Sequence, residues 1–147
     1  MACVPDGFYT MKGYELLSDG ELTSAMEDYL EMIARIQRGG EAVRVVDLST
    51  RLHVKASSVT KMIQQLAKAG LVRAQRYGGI EMTEQGASLG DYLLYRHDVL
   101  QRFLCMLNGS KNELEQVEKI EHFINMQTVK NLELLCRRLR NEAGADC

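Results

Sequence analysis

The stretch VRVVDLSTRLHVKASSVTKMIQQLAKAGLV, residues 43 to 72, breaks into two short helical registers with a gap between them. Its pattern predicts a helix over about Val45 to Leu52, a tight turn through His53, Val54 and Lys55, and a second helix from about Ser57 to Ala69 that Gly70 ends. Val59, Ile63 and Leu66 form the apolar stripe of the second helix, with Met62 alongside. Its other face carries Ser57, Ser58, Thr60, Lys61, Gln64 and Gln65, side chains suited to phosphates and base edges. Two helices joined this way form a helix-turn-helix, in which His53 simply fills the turn. After Gly70, LVRAQRYGGIEMT alternates as two short strands around Tyr77, Gly78 and Gly79, a β-hairpin wing.

Four further helices are predicted around this unit. Ser24 to Glu27 looks like a capping box opening a helix to about Gln37, with Met26, Leu30, Ile33 and Ile36 on its apolar face and Asp28 and Glu31 on another. Thr83 is placed to cap a long helix from about Glu84 to Leu107, which accepts Gly86 and Gly90 at some cost. Residues 115 to 124, EQVEKIEHFI, put Val117, Ile120, Phe123 and Ile124 on one side of a helix. Glu118, Glu121 and His122 fall within a sector of roughly 100° on the other side. A last helix, about Thr128 to Arg140, carries Val129, Leu132, Leu135 and Leu139 at helical spacing. The fold class expected is mainly α, a winged helix-turn-helix with a small β-hairpin wing followed by an α-helical metal-binding and dimerisation domain. The division is 1–21 as an N-terminal extension containing Phe8, Tyr9 and Tyr14, 22–83 as the DNA-binding domain, and 84–147 as the helical domain.

Charge sharpens this picture. The whole chain carries only −2, yet residues 34–79 hold Arg35, Arg38, Arg44, Arg51, Lys55, Lys61, Lys68, Arg73 and Arg76 against Glu41 and Asp47. That segment is therefore +7 and the remainder −9, so one part can neutralise phosphates while the other can attract a divalent cation. Arg44, Lys55, Arg73 and Arg76 join the polar face of the second helix as candidate contacts to double-stranded DNA, although a winged helix can also bind protein. No run of 18 apolar residues and no signal-like start occur, and Cys3, Cys105, Cys136 and Cys147 are scattered, with no C-x-x-C spacing. A soluble cytoplasmic chain with reduced thiols is expected, with Cys105 and Cys136 in the core and no membrane partner.

Asp28, Glu31, His97, Glu118, Glu121 and His122 offer six oxygen and nitrogen donors on three helices. Carboxylates with a minority of imidazole suit Mn²⁺, Fe²⁺ or Zn²⁺, and several carboxylates can bridge two ions. A solvated acidic face and a core His97, on the same side as Leu93, Leu100 and Leu104, are the alternatives from spacing alone. The apolar surface of the last helices exceeds what one thin layer covers, which favours a homodimer presenting two recognition helices to a palindromic site over packing within a monomer.

Four segments, SAMEDYLEMI at 24–33, ASSVTKMIQQL at 56–66, LYRHDVLQRFL at 94–104 and VEKIEHF at 117–123, resemble the manganese-responsive branch of the diphtheria toxin repressor family. The resemblance covers about residues 22 to 141 and implies a dimeric repressor that binds operator DNA when Mn²⁺ is plentiful and represses manganese uptake genes. It implies two ions per subunit, with Fe²⁺, Zn²⁺ or Cd²⁺ as substitutes, held by the same six residues. Iron-responsive relatives typically have Met at the position of Asp28 and Cys at that of Glu118. The chain departs from the pattern in its N-terminal extension of about twenty residues. The resemblance implies neither an enzyme nor a small organic substrate. The rival readings are a regulator answering a small organic effector and a carboxylate-bridged dimetal enzyme, the latter disfavoured by the single His in the Glu118 to His122 cluster.

Overall fold

Thr23, not Ser24, caps the first helix: its hydroxyl accepts the Met26 N–H at 3.2 Å, and α1 runs Ser24–Arg38. The predicted capping box therefore does not form, and Glu27 is free for other partners. The computed structural model describes residues 22–75 and 79–143. Arg76, Tyr77, Gly78 and the N-terminal extension with Phe8, Tyr9 and Tyr14 lie outside them, as do Cys3 and Cys147.

After α1 come β1 (Val43–Arg44), α2 (Val45–Leu52), α3 (Ala56–Lys68), β2 (Val72–Ala74) and β3 (Gly79–Met82). His53 ends α2 in the left-handed conformation, φ 56° and ψ 46°, and the Ser49 hydroxyl donates to the Val54 carbonyl at 2.6 Å across the turn. One left-handed residue plus one side-chain bond thus sets how α3 leaves α2. The stripe Val59, Ile63 and Leu66 packs with Leu48, Val43, Leu71, Val72 and Ile80 against Leu30, Ile33 and Ile36 of α1. α1 is accordingly part of the winged-helix core.

The wing is antiparallel, and it contains a strand the pattern did not predict: the order is β1-β3-β2, with Val43 opposite Ile80 and Ala74 opposite the same residue on the other side. Two residues are too few to leave an alternation in the sequence.

Thr83 does cap the long helix α4 (Glu84–Asn108), accepting the Gly86 N–H at 3.0 Å while donating to the Gly70 carbonyl at 2.7 Å. A Cβ on Gly86 would lie 1.9 Å from the Leu71 carbonyl oxygen, so glycine is what lets α4 leave flush against the root of β2. Gly109, in the left-handed conformation, ends α4.

The expected helix over residues 115–124 is interrupted. α5 covers only Leu114–Ile120, and Glu121–Phe123 tighten into a 3₁₀ turn before α6 (Met126–Ala143). Glu118, Glu121 and His122 consequently do not share one helical face, and Phe123, expected in the core, is 57% exposed. Leu100, Leu104 and Val117 form a second, smaller core with Phe103, Ile120, Ile124 and Leu132 against it. Cys105 and Cys136 are buried free thiols, as the pattern predicts. Among the described residues no helix is long and apolar enough to cross a membrane.

Candidate metal centre and DNA-facing surface

The 3₁₀ turn brings its first two residues against two helices at once. Glu121 belongs to two groups of donors, Asp28–Glu121–His122 and Glu31–His97–Glu121, in each of which the donor atoms lie within 4.8 Å of one another. Asp28 and Glu31 come from one face of α1, three residues apart, and His97 comes from the middle of α4. His97 Nδ1 is 2.9 Å from Glu121 Oε2 and 3.9 Å from Glu31 Oε2. His122 Nε2 is 3.0 Å from Asp28 Oδ1. Glu121 is 1% exposed, whereas Asp28 keeps about half its side-chain surface open to water, so a cation would enter from the Asp28 side.

The electrostatics favour added positive charge. Burial pushes the Glu31 carboxyl up, and the neighbouring Glu121 charge pushes it further, outweighing His97, Arg35 and Arg96. Hydrogen bonds to Asp28 and Glu27 raise His122 to about 9 despite its burial, so in the metal-free protein at neutral pH the imidazolium offsets part of the acidic charge. Carboxylates crowded together out of water, interleaved with imidazole and with no thiolate, match Mn²⁺, Fe²⁺ and Zn²⁺ chemistry.

Five of the six predicted donors are thus assembled. Glu118 is exposed on α5 and lies outside both groups, because α5 stops at Ile120 and the turn that rotates Glu121 and His122 inward leaves Glu118 behind. Two residues that the sequence reading missed sit at the centre's edge. Burial pushes the Glu27 carboxyl up, but hydrogen bonds from His122 and Arg96 more than offset it, and the carboxyl titrates below its ordinary range. Arg96 is 3% exposed. Its Nη2 is 3.1 Å from Glu27 Oε1, an ion pair that joins α4 to α1. Spacing offered one faint signal for this pair, an arginine directly before a buried histidine in YRHD.

Ser57, Ser58, Thr60, Lys61, Gln64 and Gln65 all face water along α3, with Lys55 at its start, Arg44 at the start of α2 and Arg73 on β2. Thr60 spends its hydroxyl on the Ala56 carbonyl, which leaves its methyl as the outer contact. Arg35, Arg38 and Arg51 pair with Glu31, Asp91 and Glu41. Among the described residues Arg44, Lys55, Lys61 and Arg73 form no ion pair, so these basic side chains are available to phosphate.

The family model for the iron dependent repressor N-terminal DNA binding domain matches residues 21–80. An HTH-type transcriptional regulator MntR from Geobacillus kaustophilus (strain HTA426) is 35% identical over 111 residues, 75% of this chain and 79% of that protein. The chain belongs to the MntR family of transcriptional regulators. MntR from Shouchella clausii (strain KSM-K16) is similar at 36% identity over 111 residues, covering 75% of this chain and 78% of that protein. Membership makes the chain a metal-dependent, DNA-binding repressor and not an enzyme, so the dimetal-enzyme reading lapses. Among solved structures, the manganese regulator SloR superposes with a TM-score of 0.69 at 24% identity over 79% of this chain, a likeness of fold. ScaR with bound Zn²⁺ gives 0.62 at 25% identity over 75%. The chain spans 55% and 52% of those two proteins, about half the length of the solved structures that it matches.

Proposed function

We propose that this regulator responds to Mn²⁺, binds double-stranded operator DNA as a homodimer and represses genes of manganese uptake. The observation that carries the reading is the position of Glu121: it is shared by both donor groups and so joins α1, α4 and the 3₁₀ turn at one buried point. Asp28, Glu31, His97, Glu121 and His122 would hold the metal, in one or two ions per subunit, with Glu118 able to contribute only by swinging in from the α5 surface. The names of the relatives support manganese, and the carboxylate at Asp28 fits a hard ion.

A bound divalent cation supplies the positive charge that makes crowding of these carboxylates favourable. Without it, Glu31 and Glu121 repel, and α1 is held to the turn by the contacts of His122 with Glu27 and Asp28, while the Glu27–Arg96 pair ties α1 to α4. Because α1 packs in the same core as α3, fixing Asp28 and Glu31 relative to Glu121 also fixes the position of α3 relative to α4. α3 then reads the major groove through Ser57, Ser58, Thr60, Lys61, Gln64 and Gln65, while Arg44, Lys55, Arg73 and Arg76 of the basic segment meet phosphates. Leu107, Leu114, Phe123, Met126, Leu134 and Leu139 are exposed on the helical half, and this apolar surface supports pairing of two copies.

The test exchanges Asp28 for Met, a soft neutral thioether on an exposed helical position that folding should tolerate. Half-maximal DNA binding, measured against Mn²⁺ and anaerobic Fe²⁺ for wild type and Asp28→Met, should shift its metal preference towards Fe²⁺. An unmoved ratio of the two midpoints removes Asp28 from the site.

A further inference from the structure

We infer that Glu27, clamped by Arg96, is a positioning residue that orients the His122 ring and selects Nε2 as its metal-binding nitrogen. This rests on the reading of Asp28, Glu121 and His122 as a metal centre. Glu27 precedes Asp28 on α1 and touches His122, yet it lies outside both donor groups and both of its oxygens are already engaged. Arg96 Nη2 reaches Oε1 at 3.1 Å and Nη1 reaches Oε2 at 3.5 Å, while His122 Nδ1 lies 2.9 Å from Oε1. The other ring nitrogen, Nε2, faces Asp28 Oδ1 at 3.0 Å. Both carboxylates accept only, so the metal-free imidazolium donates from both nitrogens. Glu27 is locked by buried Arg96, whereas Asp28 keeps about half its side chain open to water, so the proton on Nδ1 stays and the one on Nε2 is the one a cation displaces.

Arg96 makes the arrangement stiff. Its side chain is 4% exposed and its guanidinium stands 6.0 Å from the Tyr92 ring centroid, so the cation that fixes Glu27 is itself packed on α4. Tyr92, Arg96, Glu27 and His122 therefore form one chain of contacts from α4 through α1 to the 3₁₀ turn. Without Glu27, a flip of the His122 ring by 180° about its Cβ–Cγ bond would present Nδ1 to Asp28 in place of Nε2.

The experiment uses the full chain and the metal alone: Mn²⁺ isotherms with stoichiometry for wild type, Glu27→Ala, Glu27→Gln and His122→Ala, and ring ¹⁵N spectra of the Zn²⁺-loaded protein. Glu27→Ala should weaken Mn²⁺ binding roughly 10- to 100-fold at unchanged stoichiometry. Glu27→Gln, whose amide oxygen still accepts from Nδ1, should recover part of the loss. In the wild-type spectra, His122 should show a protonated Nδ1 and a metal-bound Nε2. Metal bound through Nδ1 overturns the inference, and this readout needs no variant to fold. So does an unchanged affinity in Glu27→Ala, or the loss of a bound ion, which would make Glu27 a ligand. If His122→Ala itself leaves Mn²⁺ binding intact, the metal-centre reading fails; if His122→Ala abolishes it and Glu27→Ala does nothing, only the positioning role fails.

Discussion

Replacing Glu121 by Gln should reverse the sign of its effect on stability according to whether metal is present. In the metal-free protein the Glu121 carboxylate lies within 4.8 Å of that of Glu31, and each is buried. At an effective dielectric constant of about 20, two unit charges at that separation repel by about 3.5 kcal/mol. Against this stands the hydrogen bond between His97 Nδ1 and Glu121 Oε2 at 2.9 Å. Such a bond to a charged group is worth about 1.5–3 kcal/mol, and the Gln amide oxygen keeps part of it. The variant without metal should therefore be as stable as wild type or more stable, by about 0–2 kcal/mol. With metal the order inverts. At a free Mn²⁺ concentration of about 100 times the wild-type Kd, binding stabilises the native state by about 2.7 kcal/mol; a hundredfold loss of affinity reduces that to about 0.4 kcal/mol. For a chain of this size the missing 2.3 kcal/mol corresponds to an Mn²⁺-induced rise in Tm smaller by about 5–9 °C than that of the wild type. Thermal unfolding of both proteins in chelator and in Mn²⁺ provides the four values needed. A Glu121→Gln protein that loses more than about 2 kcal/mol in chelator, or that keeps the full Mn²⁺-induced rise in Tm, refutes the account of Glu121 as a shared ligand.

Lys61→Ala should weaken DNA binding and flatten the slope of log affinity against log salt by about one unit while Mn²⁺ binding is unaffected, since Lys61 is exposed on α3 and belongs to neither donor group. For the metal-free protein, His122 has a folded pKa of about 9 against an ordinary 6.5, facing Glu27 and Asp28 of α1, Arg96 of α4 through Glu27, and Glu121. A raised pKa stabilises the fold fully below about pH 6.5 and is lost as pH rises through about 9, so denaturant midpoints in chelator should fall between those limits. Metal binding must displace that same proton, and between pH 6.5 and 8 the apparent Mn²⁺ affinity should rise about tenfold per pH unit from this group; a flat profile would remove His122 from the ligands. Gly86→Ala should disrupt the seat of α4 on β2, since its Cβ would meet the Leu71 carbonyl oxygen at 1.9 Å, and cost about 2–4 kcal/mol in a urea titration, whereas Gly109→Ala, with open space around its Cβ, should cost about 1 kcal/mol for its positive φ.

The elements with local signals were legible in the sequence. The stripe of α3, the glycine after it and Thr83 before α4 each act through neighbours a few residues away, and the structure uses each as the pattern predicts. Of the candidate metal centre, the residue types were legible, and so was the shared face of Asp28 and Glu31 three apart on α1; the meeting of His97, Glu121 and His122 with them was not set by any helical spacing. What could not be read depended on a change of helix type. The apolar period through EQVEKIEHFI continues unbroken past Ile120, so nothing local announces the 3₁₀ turn that separates Glu118 from Glu121 and exposes Phe123. Glu27 was hidden for a different reason: a glutamate three residues after a serine looks like half of a capping box, and only the approach of α4 and the 3₁₀ turn gives it Arg96 and His122 as partners.

The central claim is that occupancy of the Glu121-centred site controls DNA binding. It is tested most directly by titrating the protein against a duplex selected from a randomised pool by the Mn²⁺-loaded chain, in chelator and in saturating Mn²⁺ at the same ionic strength, with bound metal counted in parallel. The account predicts at least tenfold tighter binding with Mn²⁺, one or two ions per subunit, and a stoichiometry of two subunits or a multiple of two per site. Equal affinity in chelator and in Mn²⁺, with metal demonstrably bound, would contradict it and return the effector role to a molecule of another kind.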